Sequence, residues 1–431
     1  MIHTRLRRIA LLLAIVLVCG ALAGCGKREE ETDATSAPET TAAPETTEAQ
    51  TTEAGEDVFR PSEPQVEALE TKEFDMDAFR ANIEGLTKEQ VYADNAHALF
   101  SDPIACQYGD YTLYLQKILG NLWGLVCRKN DGTQKRVLYK GAEQCSLRSI
   151  QCVDARTVLL QGWVYEGGGY PARSFIFYDL ITGEEVDYPL PEAVTALENE
   201  KDHIFLNYLV FFDRGIFAYT RTYPDSGEEY ASSYFINAEG EIHSLSESLC
   251  RETYSDGIYY YADYYEQTGC KVYQVDLDTM ERTDLLADDD DHYNYHCEMR
   301  GNWWISQYYP DDPLVTDVRT GASTWIRYME KPSIEHVSLD SLSLRNVIAD
   351  GDRLYVYVSN SKDYYADFNG LYCVDTNTGD AQLIITLSPD QILDQSTIVH
   401  DLIYFNCNFH GDYITYLVSP DGSGLTMFAN G

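Results

Sequence analysis

From about Ala96 onward, short apolar and aromatic runs alternate with turn residues, and no helical spacing persists. Leu371-Tyr372-Cys373-Val374-Asp375, the turn Thr376 to Gly379 and the run Ala381 to Ile385 set the pattern. β-prone residues flank a glycine that accepts positive φ, which predicts a β-hairpin. Its turn recurs at Asp131-Gly132, Thr182-Gly183, Glu239-Gly240, Asp278-Thr279, Thr320-Gly321, Thr378-Gly379 and Asp421-Gly422. A second signal, a turn residue leading into an aromatic strand, alternates with it. That signal lies at Gly109-Asp110, Asp154-Arg156, Asp213-Gly215, Asp256-Gly257, Gly301-Asn302, Gly351-Asp352 and His400-Asp401. The hairpin turns are 51, 57, 39, 42, 58 and 43 residues apart. Repeats of roughly 40 to 50 residues holding four strands predict the blades of a β-propeller. One blade cannot cover both its faces, but neighbours stacked around an axis can, and a closed ring exposes few edges. The expected fold is all-β, with seven four-stranded blades; six or eight is the alternative count.

Ahead of the repeat the pattern changes. Arg5, Arg7 and Arg8 precede the apolar stretch Ile9 to Val18, too short for an ordinary membrane span of about 20 residues. It ends at Leu22-Ala23-Gly24-Cys25, which resembles a bacterial lipobox. The resemblance implies a signal peptide over residues 1–24, cleavage before Cys25 and a diacylglyceryl thioether on its sulfur. Two acyl chains anchor stably where one does not. Residues 25–57 are rich in Thr, Glu, Ala and Pro. They cannot form a core and read as a disordered tether, similar to the tails of Gram-positive surface lipoproteins. Residues 58–95 form a lead-in, where Met76, Phe79, Ile83 and Val91 predict one or two short helices. Residues 96–431 are the propeller.

Composition adds two points. Tyrosine is abundant, with 34 residues, as half-buried strands favour. The net charge of -39 excludes a nucleic-acid partner, whose phosphates it would repel, and keeps a surface protein soluble.

Asp179, Asp317 and Asp375 sit four residues before their turn glycine, and Asp276 holds the matching place in the fourth repeat. A carboxylate there accepts turn N–H groups, so these aspartates read as structural. The run Val-Asp-x-x-Thr-Gly resembles repeat hinges of quinoprotein-like and lactonase-like propellers. The whole chain resembles uncharacterised propeller lipoproteins of clostridial bacteria, a resemblance that implies no activity and no cofactor.

Within a blade the strands, A to D, alternate in direction. The A–B and C–D turns therefore share one end of the ring, and the B–C loops and D–A crossovers the other. Short, uniform Thr-Gly turns make the first end look inert. The B–C loops carry Tyr165 and Tyr170, Tyr223 and Tyr230, Tyr264 and Tyr265, Tyr308 and Tyr309, Tyr364 and Tyr365, and Phe409. Aromatics beside carboxylates suit sugar rings and suit protein partners equally; packing between loops is the competing reading. Asp288, Asp289, Asp290 and Asp291 could offer oxygens to calcium. They lack the alternate spacing and glycine of a calcium loop and read as a solvated acidic run. His292 and His296, about 13 Å apart on one strand face, are not expected to share a metal. Nine cysteines follow Cys25 and none forms a C-x-x-C pair, so they read as buried thiols, with Cys145 and Cys152 able to pair as hairpin neighbours.

These features predict a monomeric lipoprotein, anchored on the outer side of a Gram-positive type membrane, that binds a glycan or protein through its Tyr/Asp-rich face. An accessory subunit for a transporter or receptor differs only in its partner. The alternative is an exported glycan hydrolase or lyase using two carboxylates, with Asp225, Glu228, Glu229, Glu266 and Asp363 as candidate acids. No G-x-S-x-G supports a serine nucleophile.

Overall fold

Each pair of turn signals closes one antiparallel meander, and seven such sheets follow one another along the chain. The structure, a computed structural model, describes residues 62–71, 73–100, 102–165, 172–223, 230–246, 251–255, 257–265, 269–287, 294–308, 313–328, 342–360, 369–388, 390–410 and 412–428. Blades 1 to 7 occupy residues 105–140, 145–185, 204–246, 251–287, 294–325, 342–386 and 391–428, each built inner strand first. All seven A–B signals and all seven C–D signals fall between the strands they were expected to join. Blades stack through buried apolar faces; Phe217 of blade 3 lies against Tyr259 of blade 4 with ring centres 4.9 Å apart.

The turn aspartates act as their position implies. Asp179 Oδ1 accepts the N–H groups of Ile181 (2.8 Å) and Thr182 (3.0 Å). Asp276 does so for Asp278 and Thr279, Asp375 for Asn377 and Thr378, and Asp317 for Arg319. Gly379 has φ 75°, and a Cβ there would collide with the Trp325 carbonyl, so this turn requires glycine.

The lead-in is built into the ring. Ser62 bonds Thr386 of blade 6 in both directions. Strand β1 (Gln65–Glu67) then pairs in parallel with Thr426–Phe428, the outer strand of blade 7. Thr71 bonds Lys135 on the outer strand of blade 1. This segment is a belt across three blades where the circle closes. Helix α1 (Met76–Glu84) is capped by Asp75, and α2 (Lys88–Asn95) by a Thr87/Gln90 capping box. Both lie on the turn end of blades 1 and 2. Arg80 Nε donates to Ile181 O at 3.1 Å, Asn82 Nδ2 to Tyr108 O at 2.9 Å, and Tyr92 OH to Val153 O at 2.6 Å. Phe79, Ile83, Val91 and Tyr92 are buried there with the core of blades 1 to 3. No helix among the described residues is long and apolar enough to cross a membrane.

After α2 the chain enters the axis of the ring. Asn95 exchanges hydrogen bonds with Gln107 of blade 1. The 3-10 turn Ala96–Ala98 packs on Leu342–Asp350 of blade 6, and His97 Nε2 lies 2.6 Å from Ile398 O of blade 7. Leu99 O accepts from Gln151 of blade 2, and the Phe100 ring meets Phe217 of blade 3 and Tyr259 of blade 4. This plug touches six of the seven blades. Because the chain spends these residues in the axis, blade 1's inner strand is only Ala105–Tyr108. Blades 7 and 2 are clamped past it by Arg148 to Asp394 (2.5 Å) and by Gln395 Nε2 to Arg148 O (2.7 Å).

The structure corrects one expectation. Cys145 and Cys152 are the two ends of a single strand, Cys145–Cys152, and a strand of that length holds them more than about 20 Å apart. They are not hairpin neighbours. All six cysteines with described side chains are free thiols. Cys106 of blade 1 lies within hydrogen-bonding reach of Cys152, and burial pushes its thiol well up.

Candidate functional site

The two ends of the propeller differ. At the turn end, the C–D aspartates and α1 and α2 are occupied with structural hydrogen bonds. At the loop end, side chains are left over. Eight large apolar residues are exposed among the described ones. Five of them, Leu119, Tyr165, Phe205, Ile392 and Phe409, stand at the loop end, with Tyr165 54% and Phe205 41% exposed. Val66, Ile242 and Trp325 lie on outer edge strands.

A cleft of about 430 Å³ opens at this end between blades 2 and 3. Blade 2 contributes Trp163, from the end of strand Thr157–Val164, and Arg173, from the start of Ala172–Asp179. These residues face each other across the blade's B–C hairpin, because Trp163 pairs with Arg173 in the register. Blade 3 contributes Phe205 and Asn207 from the start of Ile204–Phe212, and Arg221 and Tyr223 from the end of its second strand. The Arg173 guanidinium carbon lies 3.3 Å from the Trp163 ring centre, and Arg173 Nε donates to Asn207 Oδ1 at 2.9 Å. Burial pushes this guanidinium down to about 10; Asp102 and Tyr208 oppose that and Arg221 adds to it. Phe205 and Tyr223 have ring centres 6.3 Å apart. On the other side of the same hairpin a cleft of about 380 Å³ is lined by Lys117, Trp123, Glu143, Cys145, Tyr165 and Tyr413. Among the described residues its one cation is neutralised, with Lys117 Nζ 3.2 Å from Asp412, and its lining residue Tyr413 carries Arg148, which holds Asp394.

Of the expected rim residues, Tyr165, Tyr223 and Phe409 have described side chains; the two tyrosines each line a cleft and Phe409 is exposed. Tyr230, Tyr264, Tyr265 and Tyr308 are placed by their backbone at the loop ends of their strands. Tyr170, Tyr309, Tyr364 and Tyr365 lie outside the described residues, as do Cys25, Asp288 to Asp291, His292, Asp225, Glu228, Glu229, Glu266 and Asp363. Among the described residues, no group of three or more His, Cys, Asp or Glu is arranged to hold a metal ion. Sequence reasoning missed Trp163, Arg173, Phe205, Asn207 and Arg221. The available signal was an arginine just after the B–C loop of blade 2 and another just before that of blade 3, in an arginine-poor chain.

No protein-family model matches the sequence, and no curated protein does. Solved structures are similar in fold. A prolyl endopeptidase is 12% identical over 82% of this chain and 54% of its own, at TM-score 0.48. The chain thus spans about half the length of that relative. An uncharacterized protein from Listeria monocytogenes EGD-e is 12% identical over 86% of this chain and 98% of its own, at TM-score 0.45. The β-propeller domain of the Trilobed protease from Pyrococcus furiosus is 11% identical over 65% and 81%, at TM-score 0.38. These likenesses concern the scaffold and carry no chemistry to this chain.

Proposed function

We propose that this chain is a cell-surface lipoprotein, anchored through a diacylglyceryl group on Cys25, that binds a glycan or protein ligand at the loop end of its propeller as a monomer. The observation that supports this reading most is the uneven placement of exposed aromatics: Tyr165, Phe205 and Phe409 stand at the loop end, while the turn end of blades 1 and 2 is covered by α1 and α2. Exposed apolar groups gathered at one place mark interaction sites, whereas scattered ones need no explanation. The experiment presents the full-length protein to a panel of cell-wall glycans and cell-surface extracts. Tyr165→Ala with Phe205→Ala is expected to lower binding at least ten-fold at unchanged Tm, while Trp325→Ala on an outer edge has no effect. Equal loss from both variants, or from neither, overturns the reading. Anchoring is tested separately: Cys25→Ala should move the protein from the membrane fraction to the medium.

A further inference from the structure

The ligand class expected from a face of tyrosines and carboxylates is neutral or basic. The cleft between blades 2 and 3 has the opposite character. Elsewhere in the ring, buried cations meet carboxylates: Lys135 meets Glu67, Arg300 meets Glu298 and Arg148 meets Asp394. Among the described residues no carboxylate pairs with Arg173 at ion-pair distance; its Nε is held by Asn207, its face is covered by Trp163, and it lines the cleft, with Asp102 acting on it from farther off. Arg221 lines the same space. The one carboxylate in the lining, Glu198, accepts from Leu206 N–H at 3.0 Å. Half-burying an arginine is costly, and burial lowers Arg173 in spite of Asp102. A planar guanidinium fixed by a stack and one hydrogen bond loses little further freedom when it grips a carboxylate with two parallel bonds. The opposite wall is aromatic, with Phe205 and Tyr223, and Asn207 and Glu198 supply polar groups suited to hydroxyls. The volume, about 430 Å³, falls in the small-ligand range of about 300–1,000 Å³ and is too small for a folded partner.

We infer that this cleft binds a carboxylate-bearing sugar, a hexuronate residue of a surface polysaccharide, with Arg173 gripping the carboxylate and Phe205 and Tyr223 against the ring. This rests on the loop-end binding reading and narrows it to acidic glycans. The full-length protein is titrated with a glucuronate-terminated oligosaccharide and with the same oligosaccharide ending in glucose, by calorimetry and by tryptophan fluorescence. The uronate is expected to bind at least ten-fold more tightly and to perturb a fluorescence component that Trp163→Phe removes. Arg173→Gln is expected to abolish the preference for the acid at unchanged Tm, and Arg173→Lys to restore part of it. Should Arg173→Gln lower Tm, the wild-type ratio between the two sugars decides. Equal affinity for both sugars overturns the inference and leaves loop-end binding standing. Preference for a sulfated sugar or for a peptide carboxylate overturns it too, as does uronate binding that Arg173→Gln leaves intact. If neither sugar binds and the Tyr165/Phe205 variant also loses nothing in the panel experiment, both readings fall.

Discussion

Asp179 holds the outer hairpin of blade 2 through local bonds: its carboxylate takes two turn N–H groups and the Arg156 side chain. Asp179→Ala strands those donors and is expected to cost about 1–3 kcal/mol at neutral pH. Burial pushes the Asp179 carboxyl up, but its hydrogen bonds outweigh burial and the net direction is down. Asp317 behaves alike; Asp276 and Asp421 are lowered first by turn hydrogen bonds, and Asp131, held by Thr133, falls to about 2. A carboxylate lowered on folding stabilises the fold above its unfolded value, about 3.9. That stabilisation is lost as pH falls through the folded value. The protein should therefore weaken from about pH 4 toward pH 2, and the gap between wild type and Asp179→Ala should close over the same window. Denaturation at stepped pH checks this; a gap independent of pH means the carboxylate is not acting ionised. The turn aspartates could be read from sequence because donor and acceptor lie two or three residues apart. Cys145 and Cys152 could not: their spacing suits two strands of a hairpin or two ends of one, and only the register of Cys145–Cys152 against Thr157–Val164 decides.

At the level of elements, the blades were legible and the closure was not. A blade repeats one local pattern, so seven weak signals reinforce each other. The belt occurs once, and its partners are remote: Ser62 meets Thr386, and Thr71 meets Lys135. The Trp163–Arg173 cleft was hidden for the same reason, since half of it belongs to the next blade. Within the belt, β1 brings Glu67 to Lys135 at 3.1 Å and to Arg128 at 3.6 Å, and the Lys135 ammonium sits 4.3 Å from the Phe428 ring centre. Burial pulls Lys135 down despite Glu67, so desolvation outweighs the ion pair. Lys135→Met keeps the packing stem and is expected to change stability by less than about 1 kcal/mol or to raise it. Glu67→Ala leaves two cations facing each other and is expected to cost about 3 kcal/mol. Urea denaturation of both variants compares the terms directly; a larger loss from Lys135→Met would mean the pair contributes net stability.

For the whole molecule, the question is what keeps the circle closed, since the four meander strands of blade 7 are all C-terminal and only the short strand β1 joins its outer edge. Three devices act on the ring around that seam: the belt across it, the plug in the axis, and α1 and α2 over the turn end of the adjoining blades 1 and 2. Their weights differ. The belt adds three residues of parallel pairing and the Glu67 contacts, a contribution of a few kcal/mol. The helices bury Phe79, Ile83, Val91 and Tyr92, at about 1.5–3 kcal/mol each. Their sum rivals the whole stability of an ordinary domain, about 5–15 kcal/mol. Three N-terminal truncations separate the terms. A chain beginning at Val58 retains all three devices and should melt as one cooperative monomer. A chain beginning at Glu73 loses only the belt and should still fold, with a lower Tm. A chain beginning at Ile104 loses helices and plug as well. It exposes the apolar floor of blades 1 and 2, empties the axis where Phe100 met Phe217 and Tyr259, and should aggregate or melt without cooperativity. Size-exclusion chromatography and calorimetry on the three decide it. Cooperative melting of the Ile104 chain at the Val58 temperature would mean the seven sheets close without their N-terminal fastening.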